Sequence, residues 1–184
     1  MVPRPSKPQA PQPVSLVGLP GSGKSTVARL LAQRLGWRWV DLDARIEWVS
    51  GHTIPELFAM SEDHFRRLET EVLRGVLAVP TRTVVAAGGG IVGSPANRAT
   101  LAERSIVVWL DVPDETILAR LRADDTPRPL LDGEDPGARL IELARERRPL
   151  YERTAAHRVE GSIGPEATAD AIEAVLAGVP EPAT

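Results

Sequence analysis

Gly18-Leu19-Pro20-Gly21-Ser22-Gly23-Lys24-Ser25 stands between the apolar run Val14–Val17 and the stretch Ser25–Leu35, where apolar residues recur at helical spacing and Gly36 closes the pattern. A glycine-rich turn from a strand into a helix points backbone N–H groups inward, and the helix start adds its positive end. The segment matches G-x-x-x-x-G-K-[ST], in which the lysine reaches terminal phosphates and the hydroxyl serves a Mg²⁺ ion. ATP or GTP is therefore the expected ligand, with contacts from Gly21, Ser22, Gly23, Lys24, Ser25 and Thr26. Lysine is otherwise found only at Lys7, and every other basic side chain is arginine. A compact point charge suits a phosphate cradle better than a planar fork does.

Composition narrows the class around this loop. At 184 residues, with 42% hydrophobic and 26% charged side chains, the chain fits one soluble domain with its own core. A net charge of −3 offers no field for nucleic acid or anionic lipid, and no apolar run approaches the ~20 residues of a membrane span. Zero cysteines exclude a disulfide framework and thiolate metal sites. A cytoplasmic monomer without nucleic-acid or membrane partners is expected. Residues 1–13 are proline-rich and read as a disordered tail, residues 14–178 as the folded domain, and 179–184 as a frayed end.

Strand-like and helix-like segments alternate through the domain. Trp37–Val40, Thr83–Ala87, Ser105–Leu110 and His157–Val159 read as further strands. Helices are expected over Asp43–Ser50, Ile54–Met60, Glu62–Leu77 and Pro113–Leu121, from Ser94-Pro95, from Asp135-Pro136 towards Arg148, and over Pro165–Ala177. Thr53 and Ser61 stand where caps belong. This alternation predicts an α/β fold, a parallel sheet covered on both faces. Residues 122–134 fit neither period and read as a long charged loop, a kind that is often functional. Trp39 and Trp109 fall in strand-like runs and are expected in the core.

The acceptor must be read from residues after the loop. Asp41 and Asp43 end the second strand, and ligands of open parallel sheets gather at such ends. Asp43 either faces that cleft or caps the next helix. In Phe65-Arg66-Arg67-Leu68-Glu69, Arg66 and Glu69 share a helix face and can pair. Gly88-Gly89-Gly90, directly after a strand, permits close backbone approach. No acid stands in that third strand. Arg128 lies in Thr126-Pro127-Arg128-Pro129-Leu130-Leu131, and Arg147-Arg148-Pro149-Leu150-Tyr151 ends a helix.

Taken in order, the GLPGSGKST loop, the Asp41-Leu42-Asp43 pair followed by Ile46-Glu47, the FRRLE segment, the triple glycine, RPLL and RRPLY resemble the shikimate kinase family over residues 14 to about 160. The resemblance implies a three-layer αβα fold of the nucleoside monophosphate kinase type. It implies a five-stranded parallel sheet, a substrate-binding segment at about 41–70 and a lid at about 122–134. It implies transfer of the ATP γ-phosphate to the 3-hydroxyl of shikimate, a step of aromatic amino-acid biosynthesis, with ATP and Mg²⁺ required. Lys24, Asp43 and Arg128 would be catalytic, and Arg122 and Arg128 would contact the nucleotide. Ser25 and Asp41 would hold the metal, Asp41 replacing the acid missing from the third strand. Asp43, Phe58, Phe65, Arg66, Glu69, Gly88, Gly89, Gly90 and Arg147 would bind shikimate. One departure is Ser61 before Glu62, where many members carry glycine; Ser61 can cap the helix instead.

Two other readings compete. Another small P-loop kinase, such as a gluconate kinase, would carry a different acceptor series. A non-catalytic domain of the same family would be expected to lack Lys24, Asp43 or Arg128, and all three are present.

Overall fold

A computed structural model describes residues 12–79, 81–123 and 135–178. Residues 124–134, most of the segment expected as a lid and including Arg128, and the tail up to residue 11 lie outside the described residues. The first strand, β1 (Val14–Val17), leads through the glycine loop into α1 (Lys24–Leu35). Next come β2 (Arg38–Asp41), α2 (Leu42–Ser50), α3 (Ile54–Met60), α4 (Glu62–Leu77) and β3 (Thr83–Ala86). A 3-10 turn (Ile91–Gly93), α5 (Pro95–Arg104), β4 (Ile106–Asp111), α6 (Asp114–Arg122), α7 (Pro136–Thr154), β5 (His157–Glu160) and α8 (Pro165–Ala177) complete the chain.

The five strands form one parallel sheet in the order β2-β3-β1-β4-β5. The chain steps to one side of β1 for β2 and β3 and to the other for β4 and β5. The loop after β1 therefore opens at the switch point, where such sheets bind ligands. Pro13 belongs to this sheet despite the proline-rich tail before it: its carbonyl accepts the Ile106 N–H at 2.8 Å.

Alternation along β1 separates two buried layers. Val14 and Leu16 face α1 and α8, where Leu31 and Ile172 are fully buried. Val17 faces the opposite layer with Leu42, Leu73, Leu101 and Tyr151. Local chemistry ends the helices. Gly36 takes the left-handed conformation after α1, Thr53 and Glu56 form a reciprocal capping box on α3, and Ser61 accepts the His64 N–H at the start of α4. The serine that departs from the family pattern is therefore a working cap.

Two expectations are corrected and one open alternative is decided. Trp39 is 44% exposed because β2 is an edge strand, whereas Trp109, on interior β4, is 6% exposed and packs on Tyr151. Asp41 rather than Asp43 caps α2, accepting from Asp43 N and Ala44 N. Finally, α7 runs through Pro149 to Thr154. That proline denies a donor to the preceding turn, yet the helix is held to the sheet by its neighbour. Arg148 donates to Asp111 Oδ1 and Asp114 Oδ1, each at 2.6 Å, and to the Val112 carbonyl at 3.0 Å, tying α7 to the β4–α6 junction.

On the opposite layer, Arg34 of α1 pairs with Glu166 and Asp170 of α8 at the surface. Exposed pairs of this kind contribute little. Leu31, buried beneath them, should matter far more: Leu31→Ala is expected to cost about 2–5 kcal/mol in urea unfolding, against a much smaller loss for Arg34→Ala. Equal losses would contradict this account of how α1 is held.

Candidate active site

A cleft of about 800 Å³ opens at the carboxyl ends of β1, β2 and β3. Its nucleotide end is the glycine loop. Gly21 and Gly23 have φ of 80° and 91°, values that L side chains avoid, and Gly23 sits at the N-cap of α1. Lys24 is buried and curls over the loop, donating to the Gly18 and Leu19 carbonyls at 3.0 and 2.8 Å. Ser22 is buried behind it, while Ser25 and Thr26 line the opening.

Ser25 Oγ donates to Asp41 Oδ2 at 2.5 Å. The other oxygen of Asp41 caps α2, so the carboxylate is fixed at both ends. Among the described residues no cluster of three or more His, Cys, Asp or Glu side chains is placed to hold a metal. A hydroxyl and a carboxylate this close do suit a hard cation whose remaining ligands are phosphate oxygens and water.

The acceptor end is built against the triple glycine. A Cβ on Gly88 would lie 2.8 Å from Asp43 Oδ1, one on Gly89 2.8 Å from the Pro20 ring, and one on Gly90 2.6 Å from Arg66 Nη1. Any larger residue would displace the groups the cleft depends on. Arg66 is held by Glu69 and Glu62, each at 3.1 Å, and its guanidinium lies 5.4 and 5.1 Å from the Phe58 and Phe65 rings. Those rings touch each other at 4.5 Å and form the apolar wall.

Burial sets the electrostatics. Asp43 is pushed up to about 6, first by desolvation and then by the Asp41 charge, with Lys24 and Arg66 opposing. The Glu69 carboxyl is also raised by burial, against the pull of Arg66. Arg147 is buried too, which lowers its pKa, and it donates to the Gly89 carbonyl at 3.0 Å. It stands behind the triple glycine rather than in the cleft wall.

Most residues singled out on sequence thus converge: the loop from Gly21 to Thr26, Asp41, Asp43, Phe58, Phe65, Arg66, Glu69 and the three glycines. Arg122 does not, since it sits exposed at the end of α6. Arg120 is the arginine of that helix in the cleft, donating to the Ser22 and Gly161 carbonyls at 3.2 and 3.0 Å. The signal was in the helical period: Ile117 and Leu121 pack against Gly21, and Arg120 shares their face. Glu47 also lines the cleft and accepts the Ile54 N–H at 2.9 Å, fixing the corner between α2 and α3.

Known proteins resemble this chain in sequence and in backbone. The shikimate kinase family model matches residues 20–177. A shikimate kinase of Synechococcus sp. (strain CC9605) is 47% identical over 162 residues, spanning 88% of this chain and 80% of the relative. That of Synechococcus sp. (strain RCC307) is 50% identical over 137 residues, 74% and 69% of the two chains. Among solved structures, shikimate kinase from Acinetobacter baumannii in complex with shikimate superposes with a TM-score of 0.85 at 37% identity, covering 91% of this chain and 94% of that one. By sequence over most of its length and by backbone geometry, the chain belongs to the shikimate kinase family.

Proposed function

We propose that this protein transfers the γ-phosphoryl group of ATP to the 3-hydroxyl of shikimate, giving shikimate 3-phosphate and ADP. The observation that carries the reading is one cleft with a lysine-bearing phosphate loop at one end and a buried carboxylate beside a fixed guanidinium at the other. A small acid with neighbouring hydroxyls needs that acceptor set: a cation fork for its carboxylate and a short acceptor for its hydroxyls.

In this reading Lys24 exchanges its loop carbonyls for the terminal phosphates of ATP, and Arg120 secures the nucleotide end through Ser22. Ser25 and Asp41 would hold Mg²⁺, which would supply charge neutralisation at the phosphate oxygens. Arg66 takes the acceptor carboxylate, with Glu69 holding its orientation and Arg147 joining from behind the triple glycine. Asp43 accepts the proton of the attacking 3-hydroxyl as that oxygen bonds phosphorus and the bridge to ADP breaks. A base that titrates near 6 is better matched to neutral pH than an ordinary aspartate. Phosphoryl transfer of this kind relies on positioning and charge neutralisation more than on covalent help. The carboxylate demand separates this reading from a nucleotide kinase; gluconate is also a carboxylate, and against a gluconate kinase the reading rests on the acceptor series of Arg66, Glu69 and the triple glycine. The expectations of a cytoplasmic, monomeric enzyme of aromatic amino-acid biosynthesis travel with the proposal.

A coupled ADP-release assay with Mg·ATP and shikimate, gluconate or a nucleoside monophosphate as acceptor tests the assignment. Turnover is expected with shikimate alone, and its absence would refute the proposal. Arg66→Ala should raise the shikimate Kd by at least about tenfold and leave ATP binding nearly unchanged, as fits loss of a charged hydrogen bond. An unchanged shikimate Kd would remove Arg66 from the acceptor site.

Asp43 yields a prediction on stability. Its carboxyl titrates near 3.8 ordinarily and at about 6 in the fold, so between those values the folded chain binds more protons than the unfolded one. Stability therefore falls as pH rises through that window, and the whole cost is present above it. Without nucleotide or metal, Asp43→Asn should raise Tm at pH 8 and gain nothing at pH 3.5; with Mg·ATP and shikimate supplied, the same change should abolish turnover. A lower Tm at pH 8 would contradict the buried charge.

A further inference from the structure

Tyr151 is wholly buried on α7, four residues after Arg147, so both side chains leave the same helix face. Its ring stacks on Trp109 with centroids 6.0 Å apart, and its hydroxyl donates to the Gly89 carbonyl at 2.6 Å. Arg147 donates to that same carbonyl at 3.0 Å. The neighbouring glycine carbonyls are engaged locally: Gly88 accepts from Ile91 N and Gly90 from Gly93 N. Gly89 is thus the member of the triple glycine whose carbonyl is held by α7. Across the trans peptide the Gly90 N–H must point the opposite way, and among the described residues it has no backbone acceptor.

Resting on the acceptor site assigned above, we propose that Tyr151 is a positioning residue for acceptor binding: its hydroxyl keeps the Gly89 carbonyl bonded when Arg147 leaves that carbonyl for the acceptor's carboxylate. A carbonyl oxygen accepts two hydrogen bonds, and here both are filled. An end-on, two-point grip on a carboxylate uses Nη1 of Arg147, the atom that bonds Gly89, so in that pose the bond to Gly89 is given up. With Tyr151 in place, its departure leaves one good bond behind. Without the hydroxyl, the same departure strands a buried carbonyl, and that cost is charged against binding. The bond also holds the 89–90 peptide plane, so the Gly90 N–H keeps its direction while Arg147 moves. Burial raises the Tyr151 pKa, so the hydroxyl stays protonated and remains a donor.

The test is a double-mutant cycle on the full chain, read as the shikimate Kd by calorimetry alongside steady-state kinetics. Tyr151→Phe keeps the ring against Trp109 and should raise the shikimate Kd and KM about tenfold, with kcat and the ATP KM nearly unchanged. In an Arg147→Met background, where no guanidinium has to leave, the same change should alter Kd by less than about twofold. Methyl shikimate gives a parallel comparison on the Tyr151→Phe protein alone. It offers Arg147 no carboxylate, so its affinity should be the same with or without the hydroxyl. Trp109→Phe loosens the stack but keeps the hydroxyl, and should leave the shikimate Kd unaltered. Equal weakening in both Arg147 backgrounds, or an unchanged Kd for Tyr151→Phe, would overturn the inference while leaving the proposed reaction standing. Failure of the unaltered protein to bind shikimate would overturn both.

Discussion

Three consecutive residues without side chains allow one stretch of backbone to lie against Asp43, Pro20 and Arg66 at once, and the cleft exists because of that contact. The parallel register supplies the rest. Leu16 lies beside Ala86 and Asp41 beside the same alanine, so the phosphate loop, the Asp41–Asp43 pair and the triple glycine all emerge at one end of the sheet. Helix α4 then carries Arg66 and Glu69 over the glycines, and α7 closes from behind with Arg147 and Tyr151. Each element contributes a different charge or donor. None of them could approach so closely if β3 were followed by ordinary residues.

The electrostatics show why this region does not favour stability. Two carboxyls, Asp43 and Glu69, are raised by burial, and Arg147 is lowered by it. Arg66 offsets part of the cost by pairing with Glu69 and lying on two aromatic rings. A well-packed apolar core at the same place would be more stable. Poorly solvated charge held in fixed directions is what a site for a charged acceptor and a triphosphate needs.

Much of the fold was legible because local signals agreed with the global pattern. The strand–glycine–helix order, Gly36 after α1, and the caps at Thr53 and Ser61 all mark real boundaries. The convergence of Lys24, Asp43, Arg66 and the glycines followed from strand-end topology and the ordered motif series. Where the reading went astray, the deciding fact was spatial. Trp39 looked like core because alternation cannot distinguish an edge strand from an interior one. Arg122 was named on the resemblance alone, whereas the face of α6 that packs on Gly21 carries Arg120 to the loop. The choice left open for Asp43 between cleft and cap was settled by Asp41, whose Oδ1 takes the cap while Oδ2 accepts from Ser25. The bond from Tyr151 to Gly89 spans 62 positions and leaves no periodic trace in the sequence.

The anchorage of Arg148 has a mechanical consequence. It fastens α7 to the β4–α6 junction, while Arg120 and Leu121 fasten α6 to the phosphate loop. Both flanks of residues 124–134 are thus secured to the sheet independently of that stretch. The ends of α6 and α7 are therefore held at fixed places on the sheet, which sets the distance that the sequence joining them has to span.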